Sequence, residues 1–171
     1  MVRVEDERDT TNIGRLLAGA AKTIASVRYC WLMTEAETGG ANVRPMGRIS
    51  PVPDGNDWIL WFLADGRSRK ISDIRHANKV ALILQCEPDD AFVTLIGSAS
   101  LRQSPEVRLR WKDAYDAYLD RANATLIEVE VGRMELWIRG VTPEPFGLHQ
   151  TIIERDVEGA WRLLPGDRSA A

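Results

Sequence analysis

The chain has 171 residues, 44% hydrophobic and 27% charged, with a formal net charge of −3. That length and balance describe one globular domain spanning 1–171 with its core at about 10–165, and the acidic balance excludes a nucleic-acid binder with a broad basic face. The N-terminus carries no signal-peptide core and no run reaches the ~18 apolar residues of a membrane span, so a cytoplasmic protein without a membrane partner is expected.

Asp9, Thr10 and Thr11 offer N-caps for a first helix whose apolar face is Ile13, Leu16, Leu17 and Ala20. Residues 27–35 read as a strand, and Gly39-Gly40 signals a hairpin into a second strand over 42–50. Pro51 to Asn56 is a turn cluster. The continuous apolar run at 58–64 is the pattern of a strand covered on both faces. Ser68 is placed to cap a short helix through Ile71, Ile74 and Ala77, and residues 79–85 form another buried strand.

A turn at Pro88–Asp90 leads into a strand over 91–101. Ser104-Pro105 then opens a helix with the stripe Val107, Trp111, Tyr115 and Tyr118. Residues 124–138 are two strands or one bent strand, with Gly132 as bend or bulge, and a last hairpin lies near the C-terminus. The class is mainly β (α+β). Many strands, few helices and hairpin links predict an antiparallel sheet of six to eight strands closed into a barrel with flanking helices, because closure removes edges. Cys30 and Cys86 lie in apolar surroundings without metal-ligand spacing, so two buried free thiols are expected and no metal.

Three features could carry chemistry. On a strand over 42–50, Arg44, Met46 and Arg48 share one face and Pro45 the other, which fits either a ligand-facing strand or an edge guarded by charge. In the stretch "DGRSRK", Ser68 at a helix start brings a hydroxyl beside unpaired N–H groups. Arg69 and Lys70 oppose the helix dipole there, at a cost a bound phosphate would offset. The alternative is three solvated cations, Arg67 among them. Trp137 shares its strand face with Arg133, Glu135 and Arg139, where an indole needs an aromatic ligand, a partner subunit or a cation–π contact. His76 and His149 read as surface histidines.

In this order, "RPMG" at 44–47, "WFLADGRSRK" at 61–70, "VTLIGSASL" at 93–101 and "ELW" at 135–137 resemble the pyridoxamine 5'-phosphate oxidase-like FMN-binding split-barrel superfamily, with the general-stress branch nearest. The resemblance implies a split barrel and an obligate homodimer with FMN at the subunit interface. It implies that Arg44, Ser68, Arg69 and Lys70 hold the phosphate. Pro45, Met46, Phe62, Leu63 and Ala64 would line the flavin, and Trp137 would reach it from the other subunit. Relatives of this fold also use F420 or haem; His149 is the one tempting haem ligand. The chain departs from the true oxidase at Gly147 and Ile49, where substrate-phosphate cations stand, and at Thr151, Ala64 and Phe92. Oxidation of pyridoxamine phosphate is therefore not expected. The resemblance implies a flavoprotein of undefined substrate, either an oxidoreductase or a flavin-sensing module.

Overall fold

The computed structural model describes residues 3–53, 57–118 and 120–165, with side chains from residue 12 onward. Helix α1 spans Arg3–Ser26 and starts before the anticipated caps. Asp and Thr cost only tenths of a kcal/mol inside a helix, so residues 9–11 continue it instead of beginning it. Leu16, Ala20 and Ile24, one helical turn apart, are buried against the sheet.

Strands β1 (Tyr29–Glu35) and β2 (Ala41–Gly47) form the expected hairpin. Gly39 and Gly40 make its turn with φ of +89° and +81°, backbone angles that only glycine adopts freely. After β3 (Ile59–Asp65) and α2 (Arg69–His76) come β4 (Lys79–Cys86), β5 (Ala91–Arg102) and the short helices α3 (Pro105–Arg110) and α4 (Lys112–Ala117). Strands β6 (Ala124–Ile138), β7 (Thr151–Arg155) and β8 (Trp161–Leu163) complete the chain. Ser104 caps α3 through the Val107 N–H as its sequence predicts. The expected single helix is interrupted at Trp111, whose indole packs 5.7 Å from Trp61.

All paired strands run antiparallel in the order β2-β1-β4-β5-β6-β7-β8, and β3 joins β6. Ile96 opposes Arg133 and Gly97 opposes Val131, so Gly132 is the extra residue of a bulge in one long bent strand. Before the bulge β6 pairs with β3; after it, with β7. The barrel is split, not closed: among the described residues β2 and β3 share no ladder, and the segment after β2 meets β3 at the bridge of Arg48 with Phe62, the bond from Ile49 N–H to Trp61 O and the bond from Trp61 N–H to Ser50 Oγ. Pro51 and Pro53 follow directly and cannot donate to a ladder, so pairing stops there.

Alternate residues of the strands face the core. Leu32, Leu82, Leu95 and Met134 lie across four successive strands and are fully buried. Cys30 and Cys86 are buried and free, and burial pushes the Cys30 thiol up to about 11. Among the described residues no helix is long and apolar enough to cross a membrane.

Candidate functional site

Arg44 lies opposite Leu32 and shares its strand face with Asn42 and Met46, so its side chain leaves β2 on the core side. There it meets α2. The Arg44 Nη2 donates to Asp73 Oδ2 at 3.1 Å, and Nη1 donates to Thr34 Oγ1 at 2.6 Å and to the Asn42 carbonyl at 3.3 Å. Asp73 is only 4% exposed and also accepts from Thr34 and Asn42. Burial raises the Asp73 carboxyl, but these three donors outweigh it and hold the group below its ordinary value.

The same helix carries Lys70. It is half-buried, and forms no ion pair among the described residues. Burial, then the like charge of Arg44, lower its pKa, and Asp65 opposes them weakly. Ser68 occupies the N-cap position of α2 with extended backbone, yet its hydroxyl caps nothing. The Ser68 Oγ is enclosed and has no hydrogen-bond partner. An enclosed polar atom without a partner is rare enough to require a reason. Arg69 is exposed beside it. The neighbouring cation, Arg67, is committed elsewhere: it donates to Asp65 and Asp120 at 2.7 and 2.8 Å, and holds the Asp65 carboxyl down at about 2. It is thus ion-paired at the surface and not simply solvated.

Arg44 thus reaches from β2 to α2, the helix that has Ser68 at its N-cap and Lys70 in its first turn. Arg48 does not join them. Its Nη1 donates to the Ile24 carbonyl at 3.1 Å, at the end of α1, where a cation complements the helix dipole. Met46, Phe62 and Ala64 point into the core and are 8%, 0% and 2% exposed. Pro45 is exposed and Leu63 half-buried on the opposite strand faces.

Trp137 pairs with Phe92, two residues beyond Glu135, which lies in the cross-sheet row Trp31–Ile83–Thr94–Glu135. It is thus on the outer face of the sheet, while Arg44 is on the inner face. Tyr29, Trp31 and Val43 are about half exposed on that outer face. A groove of about 270 Å³ opens there between Met33, Ala41, Lys79 and Ile96. Trp58, Trp61 and Trp161 are core residues, which accounts for half of the tryptophans. Both histidines are exposed. Phe92 packs on Phe146 at 6.5 Å, and Ile49 packs into the small cluster around Trp61, so neither position supplies a polar group.

A profile described as "Pyridoxamine 5'-phosphate oxidase like" matches residues 18–148, well over half of the chain. The chain belongs to that family. Its fold matches a Clostridium acetobutylicum protein related to general stress protein 26 of Bacillus subtilis, with a TM-score of 0.65 and 15% identity over 81% of this chain and 94% of that one. A pyridoxamine 5'-phosphate oxidase-related, FMN-binding protein of Nostoc punctiforme matches at 0.64, with 16% identity over 86% and 94%. A haem-binding protein of Mycobacterium smegmatis matches at 0.53, with 18% identity over 70% and 53%. No curated protein matches the sequence. At these identities the structures establish the fold, and the choice of ligand rests on this chain's own residues.

The residues missed by sequence reasoning are Asp73, Thr34 and Asn42. Asp73 sits three residues after Lys70 and next to Ile74, on the buried side of α2. A carboxylate in that position was the available signal, because buried charges require partners.

Proposed function

We propose that the chain binds FMN by its phosphate and works as a homodimeric flavoprotein of the general-stress type. The carrying observation is the enclosed Ser68 hydroxyl without a partner, two residues from a half-buried Lys70 that forms no ion pair among the described residues. A phosphate monoester supplies what both groups lack: acceptor oxygens and negative charge. Arg44 and Arg69 add charge from β2 and from the first turn of α2. Haem offers no comparable match to this corner, and its one candidate ligand, His149, lies exposed in a loop.

Bound FMN would supply the two-electron redox chemistry, and the chain would supply binding, orientation and electrostatics. With Met46, Phe62 and Ala64 turned into the core, Pro45, Leu63 and the backbone of 62–64 are left to line the flavin. Trp137 cannot join the phosphate corner of its own chain from the other sheet face, which favours a contribution from a second copy. The half-exposed Tyr29, Trp31 and Val43 give that copy an apolar surface to cover.

The test is a visible spectrum of natively purified protein, with and without added FMN, followed by mass spectrometry of any released cofactor. Flavin absorbance and quenched tryptophan fluorescence are expected. A colourless protein whose fluorescence ignores FMN would overturn the reading, and sedimentation as a monomer would remove the dimer. Steady oxidation of NADH or NADPH by the loaded protein would make it an oxidoreductase; tight binding without turnover would make it a flavin sensor.

A further inference from the structure

We infer that Asp73 is a positioning residue that aims Arg44 at the flavin phosphate, an inference that rests on the FMN reading above. Arginine carries five N–H donors in a rigid planar fork. Three of them are already used inside the fold: two on Nη1, to Thr34 Oγ1 and the Asn42 carbonyl, and one on Nη2, to Asp73 Oδ2. The Thr34 hydroxyl donates to the same Asp73 oxygen at 2.7 Å, and the Asn42 amide donates to it at 3.0 Å. The guanidinium plane is therefore pinned from β1, β2 and α2 together.

Two donors are without a partner among the described residues, one on Nε and one on Nη2. They are adjacent along a single edge of the group, the arrangement that meets two oxygens of a phosphate. Its bond to Asp73 holds the guanidinium against α2, the helix that has Ser68 at its N-cap and Lys70 in its first turn. An unpinned arginine would lose side-chain freedom when it binds; this one is ordered beforehand. Asp73 touches no ligand in this account and acts only through Arg44.

The experiment compares FMN with riboflavin, which lacks the phosphate, by fluorescence titration of the full chain. Wild type, Asp73→Asn, Arg44→Ala and the double variant are measured, with thermal melts of each. Asp73→Asn is expected to weaken FMN about tenfold and to leave riboflavin unchanged. In the Arg44→Ala background it should have no further effect on FMN. Thr34→Val, which keeps the shape and removes the bridging hydroxyl, should give a smaller loss confined to FMN, and it decides the matter if Asp73→Asn does not fold.

Equal losses for FMN and riboflavin would make Asp73 a structural residue and overturn the inference. So would an unchanged FMN affinity, or the same loss with and without Arg44. A wild-type chain that binds FMN no better than riboflavin would instead overturn the phosphate reading itself, and the inference with it.

Discussion

Arg44 of β2 donates to Asp73 of α2 at 3.1 Å, and Lys70 in the first turn of the same helix feels the like charge of Arg44 with no carboxylate paired to it among the described residues. Burial and then this repulsion lower its pKa from the ordinary 10.5. A bound dianion would reverse that balance. FMN affinity should therefore fall as pH rises, and should begin to fall below the range of a free lysine. Fluorescence titrations from pH 7 upward measure this. Lys70→Arg should flatten the profile, because arginine stays charged throughout. A wild-type affinity independent of pH would exclude Lys70 as a phosphate ligand.

Replacing Lys70 by Glu should abolish FMN binding and spare the fold. The native lysine contributes no ion pair to stability, so thermal melts of the two proteins should agree within a few degrees. Micromolar FMN affinity in Lys70→Glu would remove Lys70 from the proposed phosphate site.

Ser68 gives an unusual expectation for an N-cap. Loss of a capping serine ordinarily costs about 1 kcal/mol, but this hydroxyl makes no capping bond. Ser68→Ala should therefore leave the unfolding midpoint in urea nearly unchanged. It should weaken FMN severalfold, as loss of one hydrogen bond to a charged group does. A full capping penalty with unaltered FMN affinity would reverse the assignment.

Asp73 should matter for stability as well as for binding. Arg44 is only partly buried, so removing its partner costs less than the loss of about 3–5 kcal/mol for a fully buried pair, and Asp73→Ala should be destabilised by about 1–3 kcal/mol at pH 7. The folded carboxyl lies below its unfolded value near 3.8. Its contribution is therefore present above that pH and is lost as pH falls through the folded pKa. Urea melts of wild type and variant should differ widely at pH 7 and converge in acid. A difference that does not shrink would mean the loss is one of packing and not of charge.

Gly97 and Gly132 flank the same register shift, yet they should respond differently to alanine. A Cβ on Gly97 would lie 2.0 Å from the Glu130 carbonyl oxygen, whereas a Cβ on Gly132 meets nothing within 4 Å. Gly97→Ala should cost about 3 kcal/mol or more, because backbone must move, and Gly132→Ala should cost under about 1. Thermal melts of the two variants test this, and equal costs would count against close approach at the bulge.

Much of this molecule was legible in the sequence because the signals are local. Gly39-Gly40 requires positive φ, Ser104-Pro105 fixes a helix start, and alternation along β2 assigns Arg44 and Met46 to one face. The motif at 61–70 likewise placed Ser68, Arg69 and Lys70 together, since they are neighbours in the chain. The start of α1 was not legible, because capping residues also tolerate a helix interior.

Tertiary structure alone decided the partners. Arg44 and Asp73 are 29 residues apart, and only the packing of α2 on β1 brings the carboxylate to the arginine. Equivalent-looking arginines were separated in the same way: Arg48 went to the end of α1, Arg67 to two aspartates, and Arg44 to the buried Asp73 of α2. The sequence by itself determined that Ser68, Arg69 and Lys70 are neighbours at a helix start and that Arg44 shares a strand face with Met46. Which charge is paired and which is not depends on distances between elements, and those exist only once the core has closed.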